Sequence, residues 1–295
     1  MIELPEDWKA WLRHHVVRST PPQTLIQAMT SVGFDSATAT VLVTRAFSPG
    51  VHVPIPLPKN PVIPPYPFHA ATGYRNDVVP VPKGNRIDVG DRVVDVGMRI
   101  DKPCVITFAN VVSDEECAAL IALAEPRLKP STVVNAQTGR SDLSAARSSG
   151  GTVLQRGETP LVARIDERVA RLMNLPVENG EGFSVLRYGV GDEYQPHFDY
   201  FPPQDPGSQK RMLTGGQRVA TLILYLNDVE AGGETWFPDA GISVLPRKGC
   251  ALYFQYCNAA GQVDPLTRHA GQPVLSGEKW IMTKWVRQRR FGLES

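Results

Sequence analysis

Two different periods of apolar residues divide this chain. Residues 5–47 carry apolar side chains at helical spacing, as in Trp8, Trp11 and Leu12, whereas the chain beyond residue 88 carries short apolar runs between turn residues. The first pattern is typical of amphipathic helices and the second of short strands. A small helical N-terminal region followed by a mainly β domain is therefore expected.

Three short helices are predicted in residues 1–47. The Ser19-Thr-Pro-Pro segment offers an N-cap and a first-turn proline for the second helix, Gly33 is suited to end it, and the third helix covers residues 37–47. These helices are candidates for mediating protein contacts or dimerisation. A helical brace packed on the main domain is the alternative that the sequence leaves open.

Prolines mark the boundary between the two regions. Ten of the 26 prolines lie in residues 48–84. Such a density excludes helix and sheet interior, and it favours an extended, semi-rigid connector. We therefore predict a helical N-terminal region over 1–47, a proline-rich linker over 48–95 and the main domain over 96–295.

The main domain is predicted to be α+β, mainly β with flanking helices. Its helices are Cys117–Ala124, opened by a capping box at Ser113–Glu116, and Pro160–Met173. Many short strands at this spacing indicate a sandwich, a jelly roll or a barrel. The predicted strands are Val105–Phe108, Phe183–Tyr188, Gln195–Tyr200, Arg218–Leu226, Thr235–Phe237, Ile242–Leu245, Ala251–Gln255 and Lys279–Val286.

Two polar segments, 135–158 and 201–216, interrupt this pattern and flank His197 in the sequence. Long loops in compact domains are often functional, so both are interpreted as loops that close over a substrate entrance. Ordinary surface loops are the alternative.

Composition and charge narrow the class of protein. The chain is 42% hydrophobic with a net charge of +1, which favours neither nucleic acid nor a membrane surface as a partner. No apolar run is long enough to span a bilayer, and the start of the sequence lacks the apolar stretch of a secretion signal. The four cysteines show no C-x-x-C spacing, which indicates reduced thiols. A cytoplasmic location is expected.

The histidines carry the chemistry of the main domain. His197 and Asp199 form an H-x-D pair, and His269 is the only other histidine in the last 226 residues. On a strand, side chains i and i+2 point the same way, so His197 and Asp199 face one side together. Two histidines and one carboxylate suit Fe(II), whereas zinc usually takes more nitrogen or sulfur ligands.

Lys279 follows His269 by ten residues. Strand alternation places Lys279, Ile281, Thr283 and Trp285 on one face. A lysine on an inward face is costly to bury without an anion, and the distal carboxylate of an organic co-substrate would satisfy it. An exposed strand lysine is the alternative for Lys279 taken alone.

These residues lie in segments that resemble the prolyl 4-hydroxylase group of Fe(II)/2-oxoglutarate dioxygenases. The resemblance covers roughly residues 100–290 and leaves 1–95 uncovered. It implies a double-stranded β-helix (jelly-roll) oxygenase core. The similar segments are Ser141–Gly151, Leu154–Glu158, Leu186–Asp199, Gln217–Thr221, Leu224–Thr235 and His269–Trp285.

The resemblance also implies residue roles. His197, Asp199 and His269 would ligate iron. The C5 carboxylate of 2-oxoglutarate would be bound by three residues, namely Lys279, Tyr188 and Thr235. For Tyr188 a core aromatic, and for Thr235 a structural hydroxyl, remain the alternatives.

Arg218 and Trp285 match positions on the substrate side in similar enzymes, and Arg147, in the polar segment 135–158, is a further candidate substrate residue. A structural ion pair for Arg218 and a core position for Trp285 stay open. The basic stretch Lys284–Arg290 is predicted to be a solvated edge rather than a nucleic-acid patch.

The function implied is an Fe(II)/2-oxoglutarate-dependent hydroxylase that uses O₂ and yields succinate and CO₂, with ascorbate as a further candidate cofactor. The presence of Asp199 favours hydroxylation over halogenation. The favoured substrate is a peptidyl proline. A free amino acid or another small metabolite is an alternative substrate, and a catalytically silent binding module is an alternative function; the charge balance and Lys279 oppose a nucleic-acid demethylase.

Overall fold

The structure, a computed structural model, describes residues 4–17, 20–47, 74–75, 77–134, 138, 140–143 and 147–292. Two compact units, Met1–Ala70 and Ala71–Ser295, are separated by their contacts. Most of the predicted proline-rich linker lies outside the described residues. Among the helices of the described ranges, none combines the length and the apolar character needed to cross a bilayer.

Three helices form the described part of the first unit, as predicted. They are α1 (Glu6–Val17), α2 (Pro22–Ser31) and α3 (Ser36–Phe47). Gly33 ends α2 with a φ of 107°, a conformation that favours glycine. The Asp35 carboxylate accepts the Thr38 backbone N–H at 2.8 Å and so caps α3. Trp8 is buried and packs edge-on against Phe34, with ring centroids 4.7 Å apart. Trp8 is therefore a core residue of this small bundle.

Within its described residues, the second unit contains three α-helices and seventeen strands. Its helices are α4 (Asp114–Ala124), α5 (Pro160–Met173) and α6 (Pro206–Met212). Its strands are β1 (Arg86–Asp88), β2 (Val93–Ile100), β3 (Cys104–Ala109), β4 (Lys129–Pro130), β5 (Thr132–Val134), β6 (Ser141–Leu143), β7 (Gly150–Leu154), β8 (Phe183–Tyr188), β9 (Tyr194–His197), β10 (Arg218–Tyr225), β11 (Ala231–Gly232), β12 (Thr235–Phe237), β13 (Ile242–Val244), β14 (Ala251–Gln255), β15 (His269–Gly271), β16 (Val274–Ser276) and β17 (Lys279–Arg287).

Two antiparallel sheets organise these strands. Nine strands form the major sheet in the order β1-β2-β3-β14-β10-β17-β8-β7-β4, and four form the minor sheet in the order β13-β12-β15-β9. Strand β11 pairs with β16, and β5 pairs with β6. The minor sheet matters most for function because it places β9 beside β15.

Side-chain alternation along β17 builds two apolar layers. Trp280 and Met282 belong to a core that packs the major sheet against α4 and α5, whereas Ile281 lies in a second core with Phe237 of the minor sheet. Successive side chains point to opposite faces, so the central strand β17 is covered on both. This arrangement confirms the predicted mainly β fold with flanking helices and a double-stranded β-helix core.

The capping box predicted at Ser113 opens α4. Ser113 Oγ accepts the backbone N–H of Glu116 at 3.2 Å, and a Glu116 carboxylate oxygen accepts the backbone N–H of Ser113 at 2.9 Å. Both exchanges satisfy donors that the first turn of a helix leaves unpaired.

Three predictions of irregular structure are corrected by the fold. The loop predicted over 135–158 includes β6 and β7, because Gly150–Leu154 pairs along β8 despite its glycine and serine content. Pairing with a neighbouring strand outweighs local composition. The loop predicted over 201–216 contains the helix α6. In the predicted linker, residues 86–88 form β1 and residues 93–95 begin β2.

The basic stretch Lys284–Arg290 is not simply a solvated edge. Lys284 and Arg287 are 2% and 3% exposed, on opposite faces of β17, and each has an acidic partner. Lys284 pairs with Asp166, and Arg287 pairs with Glu181 at 3.0 Å.

Candidate metal centre and adjoining pockets

Two neighbouring strands bring the predicted ligands together. His197 ends β9, His269 begins β15, and the two residues are directly paired across these strands with ring centroids 4.3 Å apart. Asp199 follows in the bend after β9, with its Oδ1 3.6 Å from His197 Nε2 and its Oδ2 3.7 Å from His269 Nε2. One ligand atom from each residue lies within 4.8 Å of the other two. The geometry therefore forms a compact three-donor site.

Backbone carbonyls orient both imidazole rings. The Nδ1 atom of His197 lies 2.8 Å from the carbonyl oxygen of Gln195, and that of His269 lies 3.0 Å from the carbonyl oxygen of Thr267. A carbonyl only accepts, so each Nδ1 carries a proton and each Nε2 presents a lone pair to the site. Burial, aided by the charge of His197, lowers the pKa of His269 to about 4, which keeps this imidazole neutral near pH 7.

The carboxylate of Asp199 is fixed by a hydroxyl pair that sequence reasoning missed. Thr221 Oγ1 donates to Asp199 Oδ2 at 2.7 Å and lies 3.0 Å from the hydroxyl of Tyr256. Burial by itself raises the pKa of Asp199, but His269, His197 and Arg218 outweigh it and hold this pKa well below its ordinary value. An ionised carboxylate and two imidazole nitrogens are the donor set that Fe(II) takes in a facial triad.

A small inner pocket adjoins the triad on one side. Lys279 and Tyr188 are directly paired across β17 and β8, and the Lys279 ammonium group lies 5.5 Å from the centre of the Tyr188 ring. Lys279 is 2% exposed, and Thr235 faces the same pocket. Burial lowers the pKa of Lys279 to about 8, against an opposing effect of Glu234. A buried ammonium group at the end of a pocket is suited to bind an anionic ligand group.

Thr235 has a partner that sequence reasoning did not identify. The hydroxyl of Tyr225 lies 2.8 Å from Thr235 Oγ1. Tyr225 is buried on β10, on the same face as Thr221, so alternation along this strand would have pointed both hydroxyls toward the site. In the sequence, the sign that this face of β10 turns toward the site is Thr221, a single threonine within an otherwise apolar run.

A larger outer cleft opens on the other side of the triad. Its volume is about 580 Å³, and His197, Asp199 and Trp285 line both this cleft and the inner pocket. The triad therefore lies where a large cleft meets a small pocket lined by buried residues.

For Arg218 both interpretations apply, a structural ion pair and a position in the outer cleft, whereas Trp285 is only partly buried and lines the cleft. Arg218 forms two hydrogen bonds to the Glu181 carboxylate, at 2.7 and 2.9 Å, and so it is part of a structural ion pair. It also lines the outer cleft, with its guanidinium carbon 3.9 Å from the centre of the Trp285 ring. Its Nη1 donates to the backbone oxygen of Asp199 at 3.3 Å. This guanidinium group thus borders the metal centre directly.

Arg147 adjoins the triad through the ring of Tyr194, a residue with which it forms an isolated β-bridge. Its guanidinium carbon lies 4.7 Å above the centre of the Tyr194 ring, and Tyr194 stacks on His197 with ring centroids 3.6 Å apart. The structure therefore brings all nine predicted site residues to the triad or to the two pockets beside it.

Comparison with known proteins defines the class. A sequence model of the 2OG-Fe(II) oxygenase superfamily matches residues 183–287. Among solved structures, the viral collagen prolyl hydroxylase of Paramecium Bursaria Chlorella virus-1, in complex with 2OG, aligns with a TM-score of 0.50 and 28% identity over 62% of this chain and 95% of that one. The fold and the donor set are accordingly those of a 2OG-Fe(II) dioxygenase, which uses Fe(II), 2-oxoglutarate and O₂.

Sequence relatives define the group within this class. Prolyl 4-hydroxylase 5 of Arabidopsis thaliana is 42% identical over 209 residues, which are 64% of this chain and 70% of that protein. The prolyl 4-hydroxylase subunit alpha-1 of Gallus gallus is 41% identical over 189 residues, but this match spans only 36% of that longer protein. The chain belongs to the prolyl 4-hydroxylase group of the 2OG-Fe(II) oxygenase superfamily.

Proposed function

We propose that this enzyme hydroxylates a prolyl residue of a peptide or protein at C4. The observation that carries the proposal is the junction of two unlike pockets at the triad. The buried ammonium group of Lys279 lines the inner pocket, and the outer cleft has a volume of about 580 Å³. The charge of Lys279 suits a carboxylate, and the volume of the outer cleft suits a peptide.

In this proposal His197, Asp199 and His269 hold the iron. When bound, iron and 2-oxoglutarate supply O₂ activation and insertion of one oxygen atom into a C–H bond, with release of succinate and CO₂. The carbonyl-bound Nδ1 atoms and the Thr221 hydroxyl fix the directions from which the three ligand atoms approach. Geometry set in advance lowers the cost of ordering the site when the metal and substrates bind.

Three residues of the inner pocket would receive the C5 carboxylate of 2-oxoglutarate. Lys279 supplies the charge, and the hydroxyls of Tyr188 and Thr235 can donate hydrogen bonds. The Tyr225 hydroxyl, 2.8 Å from Thr235 Oγ1, holds the threonine hydroxyl in place. Two charged groups on different sides of the triad would thus bind different substrates. Lys279 would bind the co-substrate, and Arg218 would bind the peptide.

On the peptide side, Arg147, Arg218 and Trp285 would line the path of the substrate backbone. The Trp285 ring and the stacked Tyr194 ring offer apolar surfaces of the kind that pack against proline rings. Guanidinium groups can donate to peptide carbonyls from either side of the reacting residue.

Ascorbate as an additional reductant, a cytoplasmic location and a contact or dimerisation role for the N-terminal helices are further parts of the proposal. The first is tested by the dependence of turnover on added ascorbate. The last is tested by comparing the oligomeric state of the full chain with that of a variant whose α1–α3 surface is altered.

The decisive experiment begins with anaerobic titration of Fe(II) and 2-oxoglutarate, followed through the visible charge-transfer band of the complex. Oxygen and an oligoproline peptide are then added, and succinate and the peptide mass are measured. We expect one oxygen atom gained by the peptide for each succinate formed. Succinate without peptide oxidation, but with oxidation of a free amino acid in a parallel sample, would assign the enzyme to small molecules instead.

A further inference from the structure

A buried ion pair lies behind the outer cleft, on the opposite face of the major sheet. Lys284 of β17 and Asp166 of α5 are each 2% exposed, and the Lys284 ammonium group donates to Asp166 Oδ1. The same ammonium group donates to the backbone oxygen of Glu181 at 2.5 Å and lies 4.4 Å from the centre of the Phe183 ring. Lys284 therefore bonds to α5 through Asp166 and to the segment that precedes β8 through Glu181.

Glu181 connects this pair to the cleft. Its backbone N–H donates to the carbonyl oxygen of Trp285 at 2.9 Å, and its backbone oxygen accepts from Lys284. Its carboxylate emerges on the cleft side and binds Arg218 through both oxygens, with Arg287 Nε 3.0 Å from Oε1. Hydrogen bonds at both the N–H and the carbonyl oxygen thus hold the backbone of Glu181. These two bonds help to fix where its carboxylate lies.

Gly180, which precedes Glu181, leaves room for the contact between Lys284 and the Glu181 carbonyl. A Cβ atom at Gly180 would overlap the Lys284 side chain at Cε and would lie 2.9 Å from its Nζ. Only glycine leaves the ammonium group room to reach the Glu181 carbonyl. The close approach is therefore a built feature of the segment that carries Glu181.

Stability alone gives a weak reason for such a pair. Replacing a buried ion pair by apolar residues of similar size is often neutral or stabilising, because burying two charges is costly. A core position on β17 between Trp280, Met282 and Val286 would accept an apolar side chain readily. What an apolar residue cannot provide is a donor for the Glu181 carbonyl.

We propose that Lys284 and Asp166 are positioning residues, which fix Glu181 from behind the sheet and thereby set the orientation of Arg218 in the outer cleft. Neither residue touches the cleft. Arg218 stacks on Trp285 and donates to the Asp199 backbone, so a small shift of Glu181 changes where this guanidinium group meets a substrate. The proposal rests on the proposed function in taking the outer cleft as the peptide site.

The test uses the double variant Asp166→Leu/Lys284→Met in the full chain. We expect the fold to be retained and the affinity for an oligoproline peptide, measured anaerobically, to fall about tenfold, since small misplacements of positioning groups have effects of this order or larger. Affinity for 2-oxoglutarate and its peptide-independent turnover should stay as in the parent protein. A matched control, Glu167→Gln/Arg171→Gln, removes an exposed ion pair of the same helix and should leave peptide affinity unchanged.

A second measurement does not depend on the substrate. The Nε–H resonance of Arg218, assigned with Arg218→Lys, reports the bond to Glu181 by ¹⁵N NMR of the arginine side chains. We expect this resonance to move and its hydrogen exchange to accelerate in the double variant. Gly180→Ala should act in the same direction, because its Cβ displaces Lys284 while both charges remain.

An Arg218 resonance unchanged in position and exchange rate in both variants would overturn the proposal. Lack of oligoproline binding by the parent protein would instead contradict the proposed substrate, and the NMR result would still decide the positioning role.

Discussion

The hydroxyl of Thr221 lies 2.7 Å from Oδ2 of Asp199. Thr221 belongs to β10 of the major sheet, and Asp199 follows β9 of the minor sheet, so one sheet orients a carboxylate carried by the other. Thr221 is fully buried, and its hydroxyl also lies within hydrogen-bond distance of Tyr256. In this conformation the Asp199 carboxylate also faces both imidazole rings, at 3.6 and 3.7 Å from their Nε2 atoms. The relationship fixes one ligand of the triad before any metal binds.

Thr221→Val tests this relationship because valine keeps the shape and removes the hydroxyl. We expect metal affinity to fall about 10- to 100-fold, the usual effect of losing a group that orients a ligand. Anaerobic titration with Co(II), followed by its visible absorption, measures the dissociation constant.

Tyr256→Phe provides a graded companion, since it removes only the hydroxyl that Thr221 contacts. Its effect should be smaller. Equal metal affinity in the parent protein and Thr221→Val would show that Asp199 does not need this hydrogen bond.

His197→Ala should abolish metal binding and 2-oxoglutarate turnover while the sheets remain folded. Only two donors of the triad would remain, and His269 and Asp199 alone do not complete the three-donor face that Fe(II) takes. Succinate formation with saturating Fe(II) is the measurement, and far-UV circular dichroism confirms folding.

The control for this variant is the parent protein treated with a chelator. Parent turnover should vanish with the chelator and return on adding Fe(II), whereas His197→Ala should show no recovery. An active His197→Ala protein would contradict the assignment of the triad.

The triad could be predicted from the sequence because its candidate ligands are few. An H-x-D pair fixes two ligands relative to each other, and His269 is the only other histidine in the last 226 residues. Thr221 could have been found in the same way, since a threonine within an apolar run of β10 needs a buried partner.

The partners in the ion pairs at and behind the outer cleft could not be predicted, because they are remote in sequence. Glu181 and Arg218 are 37 residues apart, and Asp166 and Lys284 are 118 residues apart. Alternation correctly placed Lys284 on the face of Trp280 and Met282, but it does not reveal that α5 covers this face. The helix α6 was missed because Pro206–Met212 is polar and short and shows no apolar period.

Lys279→Ala should weaken 2-oxoglutarate binding and leave metal affinity nearly unchanged. A charge-assisted hydrogen bond in a closed pocket is lost, at a cost of about 1.5–3 kcal/mol or roughly 10- to 150-fold in the dissociation constant. The anaerobic charge-transfer band, titrated with 2-oxoglutarate, measures this constant.

The pH dependence of the 2-oxoglutarate titration tests whether the charge of Lys279 contributes to binding of the co-substrate. The pKa of Lys279 is lowered to about 8, so the free enzyme loses the ammonium proton as the pH rises through 8. Because the carboxylate binds the protonated form, the apparent dissociation constant should rise above pH 8, by about tenfold for each further pH unit. In Lys279→Ala this rise should be absent; a parallel rise in both proteins would assign the titration to another group.

Acid stability should depend on the buried guanidinium group of Arg168, which is paired with Asp91 at 2.7 Å and with Glu116. Burial raises the pKa of Glu116, but hydrogen bonds from Arg168 and from the Ser113 backbone outweigh it and lower this pKa to about 2. A carboxyl group whose pKa is lowered by folding stabilises the folded state above its unfolded pKa. This contribution is lost as the pH falls from the unfolded value, 4.5, through 2.

Arg168→Met should therefore lower the free energy of unfolding by about 3–5 kcal/mol at pH 7, because two carboxylates lose their buried partner. The destabilisation caused by Arg168→Met should be smaller near pH 3, because at that pH the parent protein has already lost part of the stability that ionised Glu116 contributes. Urea unfolding at both pH values, with the metal removed, measures the difference. Arg164→Met, which removes a more exposed arginine of the same helix 3.4 Å from Glu116, should cost about 1 kcal/mol or less, and an equal loss in the two variants would contradict the role given to Arg168.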